Sequence, residues 1–159
     1  MAAADQGVLR ANAVPDYDDI DSRETLVMKG KTRRFAAALD RQLPNDAIVL
    51  EAGCGTGQLT NFLGLSWKRR VLGGDICLNS PQLANGFRER YRIINAAFLQ
   101  MNLFRPPFRD NSVDFLICNG VLHHTGDASK GFETCFAKSN RAAASRCPRK
   151  LQMSGIFPI

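Results

Sequence analysis

The sequence lacks the features that mark a secreted, membrane-spanning or metal-held protein. No apolar run approaches the roughly 20 residues that cross a bilayer, and Asp5 and Arg10 break up any signal-peptide core at the amino end. The cysteines, Cys54, Cys77, Cys118, Cys135 and Cys147, include no C-x-x-C pair and are odd in number, so they give neither a zinc spacing nor a disulfide framework. They are expected to be structural thiols in a reducing compartment, with no bound metal and a cytoplasmic location. An excess of one sign of charge is also lacking outside the tail. The net charge is +6, and the stretch from Lys138 onward holds five basic residues and no acidic one, leaving the body close to neutral. The other basic clusters, Lys29 to Arg34, Lys68 to Arg70 and Arg88 to Arg92, are expected to be solvated faces, and a nucleic acid is not the expected partner.

What is present fits one globular core. A chain of 159 residues with 45% hydrophobic content is the size of one ordinary domain. Met1 to Lys31 is polar, acidic in its middle and without clear periodicity, and is read as a loosely ordered arm. Thr32 then offers a cap for a helix in which Phe35, Leu39 and Leu43 share a face. Pro44-Asn45-Asp46 ends that helix.

The chain is organised around Ala47 to Gly57, Ala-Ile-Val-Leu-Glu-Ala-Gly-Cys-Gly-Thr-Gly. An apolar run closing on Gly53, Gly55 and Gly57 reads as a buried strand and a tight turn. Leu59, Phe62 and Leu63 then begin a helix whose apolar face packs back on the strand. The glycine spacing is not G-x-G-x-x-G, and no Gly-Lys-Ser/Thr follows, so neither a dinucleotide fingerprint nor a phosphate loop is formed. Glu51 places a carboxylate at the mouth of the turn, where it repels a pyrophosphate and attracts an ammonium group. The expected ligand carries positive charge.

Strands and helices alternate beyond this point. Arg70 to Asp75 is a second strand ending on a carboxylate, Pro81 to Tyr91 a helix with Ser80 as its cap, Ala96 to Met101 a third strand, and Val113 to Cys118 a fourth. The pattern predicts an α/β fold, a parallel sheet covered by helices on both faces, with the ligand outside the carboxyl ends of the strands. Asp75 lies 20 residues beyond Gly55. At the end of a second strand it can accept ribose hydroxyls.

Glu51 to Gly57 resembles the first motif of the class I S-adenosylmethionine-dependent methyltransferases, an acidic residue followed by x-Gly-x-Gly-x-Gly. The resemblance implies a Rossmann-like fold with S-adenosylmethionine as cofactor. It places Glu51 against the amino group of the methionine portion, Ala52, Gly53, Cys54, Gly55 and Gly57 close to the cofactor, and Asp75 with Ile76 at the ribose. Asn102 to Asp114 is similar to the stretch Gly-Asp-Ala, two variable residues, Leu-Pro-Phe and Phe-Asp. Here Met101, Asn102 and Val113 replace family residues, while Pro107, Phe108 and Asp114 agree. Asn102, beside Leu103, stands where the family's aspartate accepts a bond from the adenine amino group, and its side-chain oxygen can do the same.

Asn119-Gly-Val-Leu-His-His-Thr125 looks like the segment after the fourth strand in the type 11 branch, which includes quinone-biosynthesis C-methyltransferases. The resemblance brings Asn119 to the methionine part of the cofactor. His123 and His124 are candidate general bases by chemistry, although methyl transfer mainly needs alignment. The implied acceptor is a small molecule.

Family likeness should continue from the helix Ala128 to Lys138 through a Pro-Gly-Gly turn into a fifth strand. Instead Ser139 onward is basic and has no strand period. The expected organisation is therefore an arm over 1–31, a partial cofactor-binding domain over 32–138, and an irregular tail over 139–159. A truncated or altered methyltransferase with little activity is expected, with its fourth strand left as an edge for self-association. Two other readings stay open: a non-catalytic domain binding the cofactor or a protein, and a nucleic-acid binder acting through the basic tail.

Overall fold

The computed structural model describes residues 22–32 and 34–140. Expectations for the chain before Ser22 and after Asn140, including Cys147, lie outside the described residues. The described helices and strands are α1 (Arg23–Thr32), α2 (Arg34–Gln42), β1 (Ile48–Ala52), α3 (Gln58–Gly64), β2 (Arg70–Asp75), α4 (Asn79–Arg90), β3 (Ala96–Gln100), β4 (Phe115–Ile117) and α5 (Ala128–Phe136). A single 3-10 turn, Leu122–His124, precedes α5.

The four strands form one parallel sheet in the order β3-β2-β1-β4. β1 is central because its near-continuous apolar sequence suits burial on both faces. Its side chains alternate: Val49 packs with Leu26, Leu39, Phe62, Leu63 and Val71 on one face, while Leu50 and Ala52 join Met101, Leu103, Val113, Leu122 and Cys135 on the other. Glu51 falls on the same side as Val49. It is therefore the polar residue of an otherwise apolar strand, beneath the amino-terminal helices.

Asp114 fixes the start of β4 against β1. Its Oδ2 accepts a hydrogen bond from Ile48 N at 2.9 Å, while its own N–H donates to Ile48 O at 2.8 Å. On the outer side of β4, Val113 and Ser139 form an isolated parallel bridge. Val113 N donates to Lys138 O and Asn140 N donates to Val113 O. Ser139 thus stands at the first place a fifth strand would occupy. β4 is shorter than the expected Val113 to Cys118.

Several expectations need correction. The arm expected over 1–31 is helical from Arg23, and it is packed: Leu26 is buried. Gly30 sits so close to the Phe62 ring that a Cβ there would overlap it. The periodicity was faint because one leucine and one glycine make most of the contact. Thr32, expected as a cap, is the last residue of α1, where its hydroxyl donates back to Met28 O and Lys29 O. Ser80 lies inside α4, whose N-cap is Leu78 with no side-chain cap bond.

Arg69 is no solvated residue either. It is 2% exposed, and its guanidinium donates to Asp40 Oδ1 at 2.9 Å, to Asp40 O at 2.9 Å and to Leu43 O at 3.2 Å. It holds the end of α2 against the start of β2. Asp40 and the carbonyl of Leu43 would lose these donors on truncation, with only part of the loss made good by water. Arg69→Met should lower the unfolding free energy in urea by roughly 2 to 3 kcal/mol, whereas Arg70→Met, at an exposed position, should change it by less than about 0.5 kcal/mol.

Candidate functional site

The loop after β1 turns on glycines with positive φ, 80° at Gly53, 51° at Gly55 and 74° at Gly57. It is tied to the neighbouring strand end, since Gly53 N and Cys54 N both donate to Gly74 O, at 2.7 and 3.1 Å. Close packing demands glycine as firmly as the dihedrals do. A Cβ on Gly53 would lie 2.2 Å from a Val121 methyl, and one on Gly57 would lie 2.5 Å from both Ala84 and Phe98. The contact of Gly53 with Val121 seats the segment after β4 on the loop and brings Asn119 alongside it.

A cavity of about 440 Å³ opens between this loop and helices α1 and α2. Its apolar walls are Leu26, Phe35, Ala36, Leu59 and Phe62, and its polar lining includes Glu51, Gln58, Asn119, Lys29 and Arg34. Lys29 and Arg34 belong to the cluster expected to be a solvated face; Arg34 is exposed and Lys29 half-buried, and both also bring positive charge to the rim opposite a carboxylate.

Glu51 is only 8% exposed. Thr60 donates its hydroxyl to Glu51 Oε2 at 2.6 Å. Burial pushes the carboxyl up to about 7, against the opposing effect of the Thr60 hydrogen bonds and with a small further push from Asp75. The Cys54 thiol, also on the cavity wall, is raised by burial and stays neutral. Two buried polar atoms in the loop region have no partner, Thr56 Oγ1 and Gln58 Nε2. Gln58 lines the cavity, so its amide is a donor available to an acceptor there.

The remaining expected residues form a second group along the carboxyl edge of the sheet. Asp75 Oδ2 accepts from Gly55 N and Oδ1 from Cys77 N, both at 2.9 Å. It braces the glycine loop, and each oxygen keeps a lone pair for a further donor. Ile76 beside it is 66% exposed. Asn102 is exposed, with Oδ1 accepting from Phe104 N at 2.9 Å in a local turn, and Leu103 is buried beneath it. None of these four lines the cavity.

His123 and His124 stand apart from both groups. They are exposed on the 3-10 turn, their rings 3.9 Å apart, and neither lines the cavity. The residues that sequence reasoning missed are Gln58, Lys29, Arg34 and Phe35. For Gln58 there was a signal, its place directly after the last glycine. For those on α1 and α2 there was none, since only packing brings these helices over the loop.

The arrangement can recognise an ammonium at Glu51 and an anionic group near Gln58, Lys29 and Arg34, with Asp75 and Ile76 on the adjoining edge. A buried carboxylate is also a burden on the empty protein. The group is raised from 4.5 to about 7, so the carboxyl contributes stability that is complete below pH 4.5 and is lost as pH rises through 7. Glu51→Gln should therefore raise the stability of the ligand-free protein at pH 8, by up to about 3 kcal/mol, and leave it little changed at pH 4.5. Thermal unfolding at the two pH values measures the difference.

Comparisons with known proteins bear on the family and the fold. A family profile described as "Methyltransferase domain", type 11, matches residues 50–156. The match begins within β1 and runs beyond Lys138, through the stretch whose composition sets it apart. No curated protein matches. Among solved structures, a protein described as an S-adenosyl-L-methionine-dependent methyltransferase of Methanococcus maripaludis superposes with a TM-score of 0.63 at 15% identity, covering 73% of this chain and 53% of its own. One described as a sarcosine dimethylglycine methyltransferase, from Galdieria sulphuraria, gives 0.61 at 19%, covering 71% and 43%. A methyltransferase of Aquifex aeolicus gives 0.56 at 20%, covering 71% and 66%. These likenesses establish the fold, and the chain spans about half the length of the first two structures. S-adenosylmethionine, the cofactor of this family, fits the residues present: a carboxylate for its amino group, an unpartnered amide and two cations for its carboxylate, and a glycine loop without Cβ atoms beneath it. The chain belongs to the methyltransferase domain family, type 11.

Proposed function

We propose that this domain binds S-adenosylmethionine across the carboxyl edge of the sheet and serves methyl transfer to a small, largely apolar acceptor. The observation that carries the reading is Glu51, a buried carboxylate on the wall of a cavity whose far rim is cationic. Glu51 holds the ammonium of the methionine portion. Gln58, with Lys29 and Arg34, faces its carboxylate, and Asp75 meets the ribose while bracing the loop. When bound, the cofactor supplies a methyl group already activated on a sulfonium. The protein's part is then alignment and exclusion of water, which Leu26, Phe35, Leu59 and Phe62 provide on the cavity wall.

An apolar acceptor accords with those walls, and a quinone-like ring accords with the Leu122-His123-His124 resemblance. We assign no proton transfer to His123 or His124, because both lie away from the cavity. The expectation of slow turnover rests on the basic, non-alternating run after Lys138. A purely cofactor-binding or protein-binding role is the alternative if turnover is absent. Binding of nucleic acid through the tail would show as strong salt dependence.

Calorimetry with S-adenosylhomocysteine, NAD and ATP tests the site. Only the first should bind, and Glu51→Ala and Asp75→Ala should each weaken it by roughly 1 to 3 kcal/mol, the range for a lost charge-assisted hydrogen bond. Undiminished affinity in both variants would remove the assignment.

The β4 edge makes a separate prediction. Among the described residues its outer side pairs only through the Val113–Ser139 bridge, and we propose that Phe115–Ile117 accepts a strand from a second copy. Sedimentation should show a concentration-dependent dimer, and Leu116→Lys should shift the equilibrium towards monomer. A monomer at all concentrations would contradict it.

A further inference from the structure

The reading of Glu51 as the ammonium site leaves open what holds that carboxylate in place. Thr60 lies on the first turns of α3, is 0% exposed, and does not line the cavity. Helical threonines usually return their hydroxyls to a carbonyl of the preceding turn. Thr32 and Thr134 do so here, donating to Met28 O and Lys130 O. Thr60 does otherwise. Its hydroxyl leaves its own helix and donates to Glu51 Oε2 at 2.6 Å, the distance of a strong charge-assisted bond.

Space for this bond is built into the sheet. Gly73 is the register partner of Glu51 on β2, and a Cβ there would lie 2.9 Å from Thr60 Oγ1 and 2.8 Å from the Phe98 ring. Any larger residue would crowd both the hydroxyl and the Phe98 ring. Gly73 therefore serves the carboxylate from the side, as Thr60 does from above. The helix is itself held, Asn61 N donating to Gly57 O at 2.8 Å and Asn61 Nδ2 to Ala84 O at 3.2 Å.

We propose that Thr60 is the positioning residue for Glu51, its hydroxyl committing one carboxylate oxygen and holding the ionised group ready for the cofactor's ammonium, in a slot that Gly73 keeps open. The proposal rests on Glu51 being the ammonium site. Thr60 acts only through Glu51 and touches no ligand. Among the described residues, the other charged or titratable groups around Glu51 are Asp75 at the end of β2, the thiols of Cys54 and Cys118, and Lys29 and Arg34 across the cavity on α1 and α2. Helix α3 itself carries no charged residue. Thr60 is thus the neighbour through which the ionised form is selected.

The test is the pH profile of S-adenosylhomocysteine affinity, measured by calorimetry from pH 5.5 to 8.5 on the full chain and on Thr60→Val, Thr60→Ala, Thr60→Ser and Glu51→Gln. The unaltered protein should lose affinity on the acid side with a midpoint near 7. Both Thr60→Val and Thr60→Ala should move that midpoint up by about one pH unit, making binding about fivefold weaker at pH 7, close to tenfold weaker at pH 6, and much less affected at pH 8.5. Thr60→Ser should restore the original profile. The isosteric valine and the smaller alanine separate the loss of the hydroxyl from any effect of packing. A uniform loss at every pH with an unmoved midpoint would overturn the positioning role while leaving the ammonium site intact. Full affinity with an unaltered acid limb in Glu51→Gln would overturn the ammonium site and the proposal with it.

Discussion

Everything near the cavity depends on keeping one carboxylate ionisable in a place where water is nearly absent. Glu51 occupies an inward position of the central strand, flanked by strand residues that are fully buried, and an ionised carboxylate there is opposed by desolvation. The fold meets part of that opposition with hydrogen bonds from the side chain and backbone of Thr60. What remains unbalanced is available to an ammonium ligand. The same imbalance that destabilises the empty site supplies the differential interaction that binding needs.

The glycine loop shows why a motif can be demanded twice over. Its positive dihedrals let the chain leave β1 and enter α3 within a few residues. Its missing Cβ atoms let Val121, Ala84 and Phe98 close in from three other elements. Asp75 then joins β2 to the loop through Gly55 N, so the residue expected at the ribose is also the brace that sets the loop's shape. Replacing it removes the brace on the loop as well as the carboxylate proposed to meet the ribose.

Sequence periodicity revealed the sheet because parallel strands buried on both faces are short apolar runs with little else in them. Arg70–Asp75 and the start of β3 at Ala96 stand where that pattern put them. That Glu51, Gly53, Cys54 and Asn119 come to the cavity wall could be read for the same reason: they sit at strand ends, where a chemical residue follows an apolar run. Lys29, Arg34 and Phe35 could not, since their role arises when α1 and α2 fold over a loop that is distant in sequence. Arg69 was misjudged because its neighbours Lys68 and Arg70 are exposed, and a local charge cluster does not reveal which member turns inward. Asn102 keeps its polar oxygen in a turn to Phe104 N, a local competition that motif matching does not see.

The central claim is that the Glu51 carboxylate recognises an amino group, and the most direct measurement removes each partner in turn. S-adenosylhomocysteine and its analogue lacking the α-amino group are titrated into the unaltered chain and into Glu51→Gln at pH 8, giving a cycle of four affinities. The account predicts strong coupling, so that losing the amine weakens binding to the unaltered chain by tenfold or more and changes binding to Glu51→Gln very little. Equal losses in the two proteins would show that the amine and Glu51 do not meet, and would contradict the account.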